Sequence, residues 1–115
     1  MKNRQLIDTI QALEKASQES GAALWGALAG ELDRSKRSRV AVNLSSIDRF
    51  TGEGDVVAVP GKVLAAGSLS KSVRVAAFSF SEGALEKIRA AEGEAMSLTE
   101  LLVAGVEPSR IRIMK

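Results

Sequence analysis

At 115 residues the chain has room for one hydrophobic core and one domain. With 45% hydrophobic and 26% charged residues it has the composition of a folded globular protein, away from the charge-rich signature of disorder. It holds no Cys and no His, which excludes disulfides, thiolate nucleophiles, imidazole bases and the usual zinc ligands, and its net charge is only +2.

The opening stretch, residues 1–15, carries a charge every few positions, which fits neither a secretory nor a transit peptide and points to the cytosol. Leu6, Ile7, Ile10 and Leu13 recur at helical spacing, and Gly21 stands where a C-cap belongs, so a helix is predicted over about 4–19. A second helix follows over 22–32, with Leu24, Leu28 and Leu32 on one face. Its Gly26 and Gly30 form a GxxxG, but the apolar stretch is far short of the ~20 residues of a membrane span, which leaves close helix packing as the preferred reading.

Next comes the basic segment Arg34, Lys36, Arg37, Arg39, a loop over 33–39. Asn43 is placed to N-cap a short helix with Leu44, Ile47 and Phe50 inward. The chain then turns to strands: one over 56–59, bounded by a Pro60-Gly61 turn beyond which 62–64 continues, and a longer one over 73–80. In the longer strand Val73, Val75 and Ala77 face one way and Arg74, Ala76, Phe78 and Phe80 the other. Ser81 caps a helix with Ala84, Leu85 and Ile88 inward and Gly93 beyond its end. Ser97 and Glu100 form a capping box for another, closed by Gly105. Pro108 opens a terminal strand in which Ile111 and Ile113 oppose Arg110 and Arg112. Together these elements make a single α/β or α+β domain over 1–115, mainly helical over 1–50 and strand/helix over 51–115.

The charge is unevenly placed. Residues 34–74 carry eight Lys or Arg against three acids, and residues 82–107 carry two against six. One side suits phosphate, and the other suits solvent or a basic neighbour.

No catalytic constellation accompanies this pattern. Gly61-Lys62 lacks the upstream Gly and the following Ser or Thr of a phosphate loop. Asp48, Glu53 and Asp55 have no companions at metal-ligand spacing and read as solvated carboxylates. The serines have no His to activate them. Neither a cofactor, a metal, a membrane nor a small-molecule substrate is expected, and the chain reads as a binding protein.

Two nucleic-acid readings compete. In a helix-turn-helix over 23–50, Arg39 and Arg49 would reach a major groove, but β-branched Val40 and Val42 and cap-seeking Asn43 suit a recognition helix poorly, and the spacer is too long. The other rests on Pro60-Gly61-Lys62-Val63-Leu64, then Gly67 and Leu69, the strand Val73 to Ala77, Phe80-Ser81, and the helix ending Lys87-Ile88. These stretches resemble the archaeal and eukaryotic L-eighteen-e family of large-subunit ribosomal proteins, related to ribosomal protein L-fifteen, and the short chain looks archaeal. One departure is Ala65, where the family commonly has Gly, which is expected to alter the local turn.

The resemblance implies a mixed α/β fold, N-terminal helices followed by irregular strand-strand-helix turns. It also implies a structural constituent of the large ribosomal subunit, whose partners are large-subunit ribosomal RNA and neighbouring ribosomal proteins. The expected RNA contacts are Arg34, Lys36, Arg37 and Arg39, with Asn43 positioning the turn, then Lys62 on the Pro-Gly turn and Lys71 on the loop before the long strand. Trp25 is expected to pack in the core. A protein-interaction module built on the acidic 82–107 surface is the third reading.

Overall fold

The computed structural model describes residues 4–34 and 40–115. Helices α1 (Arg4–Ser20) and α2 (Ala23–Asp33) precede β1 (Val40–Asn43), α3 (Leu44–Phe50), β2 (Val56–Leu64) and β3 (Arg74–Phe80). Then come α4 (Glu82–Ala90), β4 (Glu94–Ser97), α5 (Leu98–Leu102), a 3-10 turn at Pro108–Arg110 and β5 (Ile111–Ile113). The five strands form one sheet in the order β1-β2-β3-β4, every pairing parallel, with β5 also on β2. Both β1 and β5 lie along one edge of β2, β5 beside Val56 to Ala58 and β1 beside Gly61 to Leu64.

A parallel sheet is buried on both faces, so its central strand reads as continuous apolar sequence rather than as alternation. In β2, Val56 and Ala58 join a core with Leu6, Ile10, Leu13, Trp25, Leu28, Leu32 and Leu101 from α1, α2 and α5. On the other face, Val57, Val59 and Val63 meet Leu44, Ile47, Ala84 and Ile88 from α3 and α4. Trp25 is packed in the first of these cores, as expected. Gly21, at φ +75°, ends α1 with its amide on the Ser17 carbonyl. Of the GxxxG pair only Gly26 makes a close approach: a Cβ there would lie 3.0 Å from the Ser17 hydroxyl, whereas one at Gly30 would meet nothing within 4 Å.

The strand β1 removes the helix-turn-helix reading. Val40 and Val42 pair with Gly61 and Val63 in the sheet, so the segment proposed as a recognition helix begins as a strand. Only the seven residues of α3 are helical, and Phe50 at their end is exposed rather than inward.

Pro60-Gly61 is likewise no turn. The strand β2 runs through it, and the register with β3 slips there: Val59 pairs with Ala77 but Val63 with Phe80. Four residues of β2 therefore span three of β3, a bulge that carries Phe80 onto the same face as Val63, where it packs on that core and not beside Phe78. Pro60 has no N–H to donate, and it occupies the interval between the end of β5 pairing at Ala58 and the start of β1 pairing at Gly61. Gly61 is required by proximity: a Cβ would lie 2.0 Å from the Val40 carbonyl oxygen.

The connection from β2 to β3 has to run back the length of β2, because Val56 pairs with Arg74. The eight steps of β2 cover ~26 Å at about 3.3 Å each. The return from Leu64 to Arg74 is ten steps, ~33–36 Å when fully extended. Little slack is left for a helix, so the crossover is an extended segment that bends at Gly67, at φ +86°, and is pinned by buried Leu69 and Val73. Ala65 starts it without a positive φ, and its methyl lies where a Cβ on Gly83 would approach to 2.9 Å. The missing glycine at 65 is thus matched by one at 83, and the turn is not strained.

Both predicted caps form. Ser81 accepts from the Ala84 amide, and Ser97 with Glu100 makes a complete capping box. Beyond α4 the positive φ falls on Glu92, not on Gly93, whose lack of a side chain instead lets the Val73 carbonyl approach, 2.5 Å from where a Cβ would sit.

Candidate nucleic-acid interface

Of the sequence-predicted RNA contacts, Lys36, Arg37 and Arg39 lie outside the described residues. The segment that carries them leaves α2 at Arg34 and enters the sheet edge at Val40. Arg34 follows the last turn of α2, with its amide on the Glu31 carbonyl and its guanidinium 3.9 Å from the Glu31 carboxylate. Its side chain is 67% exposed, so this long contact leaves most of its donors open to a ligand. Glu31 also takes a 2.7 Å hydrogen bond from Lys115, which together with the charges of Arg34 and Lys115 holds its carboxyl below the ordinary range against the opposing effect of burial.

Asn43 and Lys62 come together on adjacent strands. Ala41 pairs with Lys62 and Asn43 with Leu64, so alternation puts Ala41, Asn43 and Lys62 on one face, and all three are exposed. Asn43 stands at the N-cap of α3 with extended backbone, but its side chain makes no cap hydrogen bond. The amide is left for another partner. Lys62 projects from a strand and not from a tight turn, and it has no carboxylate partner among the described residues.

Lys71 has a different place. Its ammonium donates to the carbonyl of Asp48 and, at 2.6 Å, to that of Thr51, so a half-buried cation sits on the C-terminal carbonyls of α3, where the helix dipole favours it. Asp48 in turn accepts from the Ser70 amide at 2.9 Å and the Ser70 hydroxyl at 2.8 Å. These two bonds, with the Lys71 charge, hold the Asp48 carboxyl below its ordinary range despite burial. The solvated carboxylate expected from sequence is thus a structural tie between α3 and the crossover.

From the opposite side, Lys87 on α4 donates to the carbonyls of Ala65 at 2.7 Å and Gly67 at 2.6 Å, and the Ser45 amide donates to Ala66. Two lysines therefore clamp the crossover between α3 and α4. Sequence reasoning missed this role because each partner is a backbone carbonyl some twenty residues away, which leaves no residue-type signal.

At the opposite end of α3 from Asn43 stand Arg49 and Phe50. Phe50 is 56% exposed, and the Arg49 guanidinium lies 6.0 Å from its ring centroid, at the outer limit of a cation–π contact. Arg112 on β5 donates to the Phe50 carbonyl, joining α3 to the C-terminal strand. A groove between them is lined by Asn43, Ser46, Phe50, Arg112, Met114 and Lys115 among others. Among the described residues no group of three or more His, Cys, Asp or Glu is placed to hold a metal ion, and no helix is long and apolar enough to cross a membrane.

The fold is an α/β domain with Arg34, Asn43 and Lys62 exposed around β1, and Arg49 and Phe50 exposed at the end of α3. A family model of the ribosomal proteins 50S-L15, 50S-L18e and 60S-L27A matches residues 26–96. Proteins named large ribosomal subunit protein eL18 from Methanoregula boonei and Methanothermobacter thermautotrophicus are each 42% identical to this chain over 98% of its length and 93% of theirs. The one from Methanococcus maripaludis is 42% identical over 97% and 93%. The chain belongs to this family of ribosomal proteins and is of its archaeal L18e type.

Proposed function

We propose that this chain is a structural constituent of the large ribosomal subunit, acting in translation on the ribosome in the cytoplasm. It binds large-subunit ribosomal RNA along the β1 edge and contacts neighbouring ribosomal proteins. The observation that carries the reading is the near full-length similarity to proteins named as large-subunit components. The geometry supports the edge: Arg34, Asn43 and Lys62 are exposed around β1, and the segment bearing Lys36, Arg37 and Arg39 runs between α2 and that strand. Arginine brings bidentate phosphate recognition and lysine a point charge. Lys71 acts from behind by fixing α3, and needs no RNA contact of its own.

Sedimentation with archaeal large subunits in high salt tests this. A subunit component stays with the particle, whereas a DNA-binding regulator, held by exposed charge alone, washes off. Recovery in the supernatant overturns the proposal. Retention undiminished by complete nuclease digestion overturns the RNA binding and indicates a protein-interaction module.

A further inference from the structure

We infer that Phe50 is a stacking platform for one unpaired RNA base, with the groove beside it holding that nucleotide's polar groups and phosphate. This rests on the proposed RNA binding and adds a site that the basic segment does not contain. The chain has four aromatic residues, and the other three are at least half-buried: Trp25 at 5% exposure, Phe78 and Phe80 packed against the two cores. Phe50 alone presents its ring to solvent, at the end of a helix whose other large apolar residues, Leu44 and Ile47, are fully buried.

The ring is held in place, not left loose. Its backbone carbonyl accepts from Arg112, and the turn it begins is fixed by Thr51, whose hydroxyl donates to the Ile47 carbonyl at 2.6 Å and whose own carbonyl accepts from Lys71. Arg49 lies over one face of the ring, 6.0 Å from its centroid, and with the residue 56% exposed the opposite face is the one offered to a base.

The groove's chemistry fits a nucleotide better than an apolar peptide. Its lining has no acidic side chain, a cation in Arg112, a second in Lys115 whose ammonium is already paired with Glu31 outside the groove, and hydrogen-bonding groups in Asn43 and Ser46. Arg112 uses one of its five donors on Phe50, and the rest are free to meet phosphate. Base stacking on an aromatic ring tolerates any base, because each has a π-face. Unpaired nucleotides of structured RNA are the ones able to reach such a ring.

The test uses the full chain and protein-free large-subunit ribosomal RNA from an archaeon, with affinity measured across salt concentrations. Phe50→Leu keeps an apolar side chain and loses the stacking face, and its exposed position leaves thermal unfolding unchanged. Its affinity should fall about tenfold with the salt slope intact, because no phosphate contact is removed. Phe50→Trp should retain affinity. Equal binding by wild type and Phe50→Leu overturns the stacking site while leaving the proposed function standing; failure of the wild type to bind overturns the proposed function itself. If Phe50→Leu binds free RNA normally but is lost from assembled subunits, the ring serves a protein neighbour and the inference is wrong.

Discussion

At Lys71 one ammonium group donates to the carbonyls of Asp48 and Thr51, so Lys71→Met leaves two carbonyls without their charged donor. Hydrogen bonds to charged groups contribute about 1.5–3 kcal/mol each in favourable settings, and this half-buried pair should cost about 1–3 kcal/mol in urea unfolding. The salt dependence of RNA binding should not change, since no phosphate contact goes with it. Asp48 adds a pH signature. Its folded carboxyl titrates below its ordinary value because Ser70 donates twice to the ionised form. The stability it contributes is therefore complete above the unfolded carboxylate's pKa and is lost as pH falls through the lower folded value. Asp48→Asn should be less stable than wild type at neutral pH, and the gap should close in acid, below about pH 4. A gap that persists unchanged to pH 2 would show that shape and not charge makes the tie.

The bulge in β2 concerns an element rather than a contact. Gly61→Ala would put a Cβ 2.0 Å from the Val40 carbonyl oxygen, and backbone cannot yield as a side-chain tip can. Either β1 detaches or the bulge reforms, and overpacking of this kind costs about 1–3 kcal/mol. Hydrogen exchange should accelerate at the amides of 40–43, with those of β3 retaining protection. The helices were legible in the sequence because their signals are local: Leu6, Ile10 and Leu13 share a stripe, and Ser97 with Glu100 spells its own cap. The paired edges were not. β1 is four residues long and is a strand only because Gly61 to Leu64 lies beside it, about twenty residues on. Pro60-Gly61 carries ordinary turn chemistry, and only the register slip against β3, opposite the gap between the β5 and β1 pairings, makes it a bulge. Phe50 looked inward from its spacing with Ile47, yet α3 ends before there is a core for it to meet.

Over the whole molecule the charge asymmetry of the sequence becomes a separation across the sheet. The basic segment enters at β1, while Glu92, Glu94 and Glu100 lie around β4 at the opposite edge. Three inter-strand spacings of ~4.8 Å put the edges about 14 Å apart, beyond the screening length of ~8 Å at physiological salt. The acidic edge would therefore do little to weaken the phosphate binding proposed for the β1 edge. Changing Arg34, Lys36, Arg37 and Arg39 together to Ala should lower affinity for large-subunit ribosomal RNA and make its dependence on salt shallower by about one unit per lost phosphate contact. Stability should move little, because exposed substitutions usually cost within ~0.5 kcal/mol and the Arg34 contact with Glu31 is long and two-thirds exposed on the arginine side. Changing Glu92, Glu94 and Glu100 together to Gln alters net charge by nearly as much, but should leave the slope where it was, though Glu100→Gln also touches the capping box. If both sets of changes shift the salt slope equally, RNA responds to the protein's total charge and the β1 edge is not its site.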